Sequence, residues 1–411
     1  MADLDSDPAA LLARVNEVMT PRRRSSDYWQ ANDYADDCSD TVELLADRAT
    51  RASPQLIRVI ERAITLTTRA IMRSDDSSGA QGDEIRTLLD AHATAVRTST
   101  PSLTQAEQTR VVKWIVDYRY GGSQDAFDPD IVGYAESLSP KSLHRYREAI
   151  AALDLGPYGR YPLRRLAVLD RDRDAIVGAY GGEPANAFAA EYISRDLDEA
   201  GLHDDALEYA GIAIALDTRG WDQGMVTYIV EDAFARGDVE TAVTARRDRF
   251  TRFPTSATFA PLRETAERAG VWGHERPAAE SLLADGDAPG FAAYLLDEGR
   301  IDEAWQFATA KVPISGKHRL WLDLCKRRAQ THPSEALAVY RAIVDETLIT
   351  ADQKNYRTAA KLLKTMRSVS ARAGSNAVAE FDTFLGETVE RNRRRPTCID
   401  AFVRADLISR R

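Results

Sequence analysis

The chain has 411 residues with 64 acidic against 54 basic side chains, a formal charge of −10 and 44% hydrophobic content. At about 100–200 residues per domain this makes two or three domains or one elongated array, and the apolar content excludes a disordered chain. The net negative charge argues against a general polyanion binder, which works through a basic surface and counterion release, while leaving room for a local basic patch.

Only 16 Pro and 23 Gly, few aromatics and abundant Ala and Leu favour helices over strands. The cysteines, Cys38, Cys325 and Cys398, are odd in number and lack CxxC spacing. That predicts buried free thiols in a reducing compartment and no disulfide framework. The opening MADLDSDPAALL has no basic segment followed by an apolar core, so no secretory signal is expected. No run approaches the roughly 18 apolar residues that span a bilayer. The expectation is a soluble, cytoplasmic chain with no membrane association.

In chain order, the first strong helix follows Ala52-Ser53-Pro54, an N-cap serine and a proline at the first helical position. Its Leu56, Ile57, Val59, Ile60, Ile64 and Leu66 predict burial over a wide face. A second helix, Asp83 to Arg97, carries Ile85, Leu88, Leu89, Ala91, His92 and Val96. A third starts at the capping box Thr104 to Glu107, before Val111, Val112, Trp114 and Ile115. The loops Ser74 to Gly79 and Tyr120 to Pro129 join these helices, their Gly and Pro breaking them and their Asp and Ser capping them. The turn-rich Leu155-Gly156-Pro157-Tyr158-Gly159-Arg160-Tyr161-Pro162 predicts a boundary, with an N-terminal helical region over 1–155.

A repeat then appears. GLHDDALEYA from Gly201, GDVETAVTAR from Gly237 and GRIDEAWQFA from Gly299 align without gaps, and THPSEALAVY repeats the second half. The shared alanines are Ala206, Ala242, Ala304 and Ala336, with a degenerate copy at ERAGVWGHERPA around Gly270. The spacing lies near the roughly 34 residues of tetratricopeptide-type hairpins. A small residue there lets paired helices approach closely, and such hairpins must stack to bury their apolar faces. The expected fold is all-α, with a tetratricopeptide-like α-solenoid of helical hairpins over 156–411. Beyond residue 340, longer helices run through Tyr356 to Met366 and from Val378 to Leu385. The run Arg391-Asn392-Arg393-Arg394-Arg395-Pro396 precedes an apolar tail of Ile399, Phe402 and Leu407.

The order of DDSSG (Asp75 to Gly79), DAFDP (Asp125 to Pro129), the hairpins, THPSEALAVY, NYRTAAKLL (Asn355 to Leu363) and RNRRRP resembles the long helical region that follows the zinc-binding module in bacterial SWIM zinc finger family proteins. The resemblance covers roughly Leu11 to Leu407 and implies the helical scaffold alone. A SWIM module needs Cys-x-Cys and later Cys-x-His closing a tetrahedral site. Here Cys38 lacks a partner two residues away, Cys325 is followed by Lys326 and Arg327, and neither Cys38 nor Cys398 has a His two positions on. The DNA or protein binding attributed to that module therefore does not carry over, and the scaffold brings no catalytic residues to map.

Chemical motifs are sparse. Ser315-Gly316-Lys317-His318 lacks the upstream glycine and hydroxyl of a phosphate loop and reads as a turn. His274-Glu275 is followed by Arg276 and Pro277, expected to break the helix a zincin requires. Asp170-Arg171-Asp172-Arg173-Asp174 has the first spacings of a calcium loop but Ala175 at position six and Gly181 at position twelve, so a solvated turn is expected. The loop from Asp75 to Gly79 reads as a helix cap before a cation site. The six His stand at no metal-ligand spacing, and Trp221, Trp305 and Trp321 read as core or inter-repeat packing, with a minority role on a peptide-binding concave surface.

The arginine runs, Arg22-Arg23-Arg24 and the C-terminal cluster, read first as cations placed at helix ends. Their functional alternative is an anion or partner contact by Arg391, Arg393, Arg394 and Arg395. No catalytic, metal or cofactor residues are assigned. The sequence thus predicts a non-enzymatic scaffold for a protein partner, with a nucleic-acid-associated accessory protein as the alternative.

Overall fold

Among the described residues of the computed structural model, 7–21, 28–155 and 160–409, the regular elements are 22 α-helices and no strand. Local capping explains where the first of them start. Asp7 accepts the Ala9 N–H ahead of α1 (Pro8–Met19), which is followed by α2 (Tyr28–Ala49). Ser53 accepts the Leu56 N–H to open α3 (Pro54–Ile71), with Pro54 where its missing N–H loses no bond. The Asp76 carboxylate takes the Gln81 and Gly82 N–H groups at 2.9 and 3.0 Å to open α4 (Ala80–Thr98), so the 75–79 loop is a helix cap. The expected box is present at α5 (Gln105–Tyr120), Thr104 and Glu107 capping each other's N–H groups.

A single apolar cluster joins these helices, with Leu45, Ile57, Ile60, Ile64, Ile85 and Leu88 fully buried. It continues through α6 (Val132–Ala135) and α7 (Pro140–Ala151). Next come α8 (Tyr161–Asp170), α9 (Arg173–Ala179), and the hairpin α10 (Ala187–Glu199) and α11 (His203–Leu216).

The chain divides into two compact units, Met1–Met225 and Val226–Arg411. The first unit runs on beyond residue 155 and includes the first repeat hairpin; of the turn-rich stretch at 155–162, residues 156–159 lie outside the described ones. Arg165 shows why these parts cohere. Its guanidinium, 5% exposed on α8, bonds both oxygens of Asp130 at 2.9 and 2.7 Å, and also reaches Asp196 and Glu199 on α10. Separating a buried cation from such partners costs several kcal/mol, on the order of 3–5.

α12 (Gln223–Ala235) crosses the division. Beyond it come α13 (Val239–Arg252), α14 (Ser256–Arg268), α15 (Trp272–Gly286), α16 (Ala288–Asp297), α17 (Ile301–Lys311), α18 (His318–Arg328) and α19 (Pro333–Thr347). The last three are α20 (Gln353–Ala373), α21 (Ser375–Arg391) and α22 (Pro396–Arg404). From α13 to α20, each helix packs on its successor.

The repeat positions have a clear physical role. Gly201, Gly237, Gly270 and Gly299 all adopt left-handed φ, 71–75°, ending one helix and turning into the next. Ala206, Ala242, Ala304 and Ala336 are fully buried. In the degenerate copy the equivalent place holds Glu275, buried and paired with both Nε and Nη of Arg247 at 2.8 Å. Contrary to the expected break, α15 runs through Pro277. Burial of Ala279 and Leu283 in the second unit's core outweighs the one backbone bond that proline removes. The apolar tail is itself helical, with Cys398 and Phe402 buried.

Candidate functional site

The segment Asp217 to Asp222, between α11 and α12, is organised by one carboxylate. Buried Asp217 accepts the N–H groups of Arg219, Trp221 and Asp222 at 2.8, 2.7 and 3.2 Å, and Gly220 at φ +80° completes the turn. This holds Trp221 outward, 60% exposed, with the Arg219 guanidinium 4.9 Å above its ring. Phe188 of α10, 53% exposed, stands 6.0 Å away, and Tyr192, one turn further along, is exposed as well.

Phe188, Trp221, Leu216 and Ala187 line a cleft of about 260 Å³ together with part-exposed Glu191 and buried Asp222. Trp221 therefore departs from its expected place in the core. The other two tryptophans keep theirs: Trp305 and Trp321 are buried edge to face at 5.8 Å, and the Trp321 indole N–H donates to the Pro313 carbonyl. The cleft lining offers apolar area, the Glu191 carboxylate and the Arg219 guanidinium, with no Ser, Cys, His or Lys among its described residues. Chemically it can seat a side chain on aromatic faces beside charge.

The C-terminal arginines are mostly engaged within the chain. Arg391, closing α21, donates to Asp345 at 2.8 Å, and Arg393 pairs with Glu390 at 2.5 Å. Arg395 donates to the Leu348 carbonyl at 2.8 Å, satisfying a free C=O at the end of α19. Arg394 is exposed and makes no ion pair among the described residues. Arg22-Arg23-Arg24 lies outside the described residues.

Other singled-out motifs resolve as turns and caps. Asp170 pairs with Arg147, Asp172 caps α9 through the Ala175 N–H, and Asp174 is exposed. The 315–318 turn is pinned by Glu346, which accepts from Ser315 and His318. Among the described residues, no group of three His, Cys, Asp or Glu could hold a metal ion, and no helix is long and apolar enough to cross a membrane. The three cysteines are free and buried, and burial pushes the Cys38, Cys325 and Cys398 thiols up to about 11, 12 and 11.

A buried polar network was not legible in the sequence. His92 on α4 meets Tyr134 Oη at 2.8 Å through Nδ1 and Glu61 at 3.1 Å through Nε2, and Arg110 bonds both Glu61 oxygens at 2.7–2.8 Å. Burial lowers the His92 value against the pull of Glu61. Burial alone would raise Glu61, but hydrogen bonds from His92 and Arg110 hold it below the usual carboxylate range. With His92 and Tyr134 fully buried, the network serves the core.

Fold and site together define an all-α protein of packed helical hairpins bearing an exposed aromatic cleft. In comparisons with known proteins, no family model and no curated protein matches the chain.

Proposed function

We propose that this chain is a non-enzymatic protein-interaction scaffold, in which tetratricopeptide-like hairpins form a solenoid and the 186–222 cleft seats a partner polypeptide. The observation that carries this reading is the Phe188–Trp221 pair, both exposed, Phe188 on helix α10 and Trp221 on a turn fixed by Asp217. Rigid exposed aromatics supply contact area at little entropic cost, and Trp is enriched among the residues that dominate interface energies. Helix-on-successor packing and the glycine–alanine register support the solenoid, since stacked repeats touch chiefly their neighbours. The likeness to the helical region of SWIM family proteins belongs to the same reading.

Glu191, part-exposed at the edge of the cleft, suits a segment whose apolar anchor lies beside a Lys or Arg. The test is titration of the full chain against labelled peptides pairing Leu or Phe with Lys or Arg, followed by fluorescence anisotropy of the peptide. Trp221→Ala with Phe188→Ala should weaken binding by about 30-fold or more, the scale of a lost hot spot. Circular dichroism and melting should stay unchanged, because both side chains are exposed. Peptide affinity equal in wild type and variant sinks the assignment.

A further inference from the structure

α20 has six cations, Lys354, Arg357, Lys361, Lys364, Arg367 and Arg372, and no acidic residue in 21 positions. Residues 353–411 hold 13 Lys and Arg against 6 Asp and Glu, in a chain whose total charge is −10. Positions 354, 357, 361, 364 and 372 fall within one narrow sector of the helix, opposite the buried Leu362, Leu363 and Met366. All five side chains are exposed. At 1.5 Å per residue the stripe runs for about 27 Å.

Beside it, α20 and α22 enclose a cleft of about 350 Å³ floored by Ala360, Ala401 and Ala405. Its walls carry Arg357, Lys361, Lys364 and Arg404, with Asp400 as the one carboxylate in the lining. Those four cations make no ion pair among the described residues; Arg357 bonds only the Gln353 carbonyl and amide oxygens. Arg367 does different work, donating to the Asp406 and Leu407 carbonyls at 2.7 and 2.8 Å and fastening the segment after α22. Like charges spaced three and four apart repel by roughly 0.2–0.5 kcal/mol a pair. Acidic residues interspersed on α20 would have removed that cost, and the fold gains nothing visible from keeping it.

We propose that the α20–α22 cleft binds the sugar–phosphate backbone of duplex nucleic acid without reading its sequence. This goes beyond the aromatic cleft, which lies in the other unit. A stripe about 27 Å long matches an extended polyanion better than a lone phosphate. The alanine floor admits the backbone closely. No aromatic residue lines the cleft to stack unpaired bases, as single-strand platforms require. No bulky apolar side chain lines it to enter a membrane interface.

The test is fluorescence anisotropy of the full chain with a labelled duplex of about 24 base pairs, as DNA and as RNA, between about 50 and 200 mM salt. The logarithm of affinity should fall linearly with the logarithm of salt, and both duplexes should bind. Lys361→Gln with Lys364→Gln should make that slope shallower by about 2, near 0.9 per lost phosphate contact. Lys326→Gln with Arg327→Gln, an equal charge change at the exposed end of α18, should leave it unaltered. Absence of binding at low salt, or equal slopes in the two double variants, overturns the proposal. So does tighter binding of polyglutamate or phosphatidylserine vesicles than of duplex.

Discussion

His92 is enclosed by the Trp114 ring, 4.1 Å from its own, by Tyr134 and by Glu61. A neutral imidazole has one donor and one acceptor, and the ionised Glu61 can only accept, so Nε2 bears the proton and Nδ1 accepts from the Tyr134 hydroxyl. Removing this ring by His92→Ala strands the Tyr134 hydroxyl and leaves a cavity, an expected loss of about 3 kcal/mol in urea unfolding. The pH dependence follows from the same contacts. Because the folded His92 value lies below its ordinary 6.5, the unfolded chain takes up the proton first as pH falls. Stability is therefore fully present above about pH 6.5 and declines below it. Glu61, held below 4.5, adds a further loss at pH below that value. Wild-type urea midpoints should drop between pH 6.5 and 5 with a steeper slope than those of H92A; parallel curves would contradict the assignment. The sequence marks His92 as lying on an apolar helical face, but its partners are 31 and 42 residues away, beyond any local pattern.

At the level of the helical hairpin, one small residue per repeat governs how closely helices approach. Ala304 is fully buried where α17 packs on its neighbours, so Ala304→Leu should cost about 1–3 kcal/mol by overpacking. The degenerate copy tolerates more, because Glu275 fills the position by pairing with Arg247, whose side chain is 45% exposed. Glu275→Ala restores the repeat's small residue and leaves Arg247 within reach of water, with an expected loss of about 1 kcal/mol or less. Chemical denaturation of the two variants side by side checks the order. The glycines and alanines of the repeat were legible because close approach requires small residues and left-handed φ requires glycine. The continuation of α15 through Pro277 was not, since local propensity disfavours it and only core burial reverses the balance.

Across the whole molecule, burial and charge are distributed unevenly. All three thiols are buried and ionise only at raised pH, so thiol titration at about pH 8 should find none reactive in the native protein and three after denaturation. Any cysteine reacting quickly in the native state would contradict that packing. The charge of −10 conceals an excess of cations after residue 352; five exposed ones share a stripe on α20, while three of the four arginines near 391–395 are engaged within the chain.

The sequence by itself determined the all-α class, the caps that start the helices, the glycine turns and the alanine contacts, because each arises from residues within a few positions of one another. It also marked the cysteines as unpaired. Only the tertiary structure decided which distant groups meet. It joined Arg165 to Asp130 and to α10, carrying the first unit past residue 155, and set Glu61 and Tyr134 against His92. It turned Trp221 outward beside Phe188 and placed Arg404 against the cations of α20. A helix's periodicity states which face is apolar. Which face of another helix covers it, and which charges are left uncovered, follows from packing across long sequence separations.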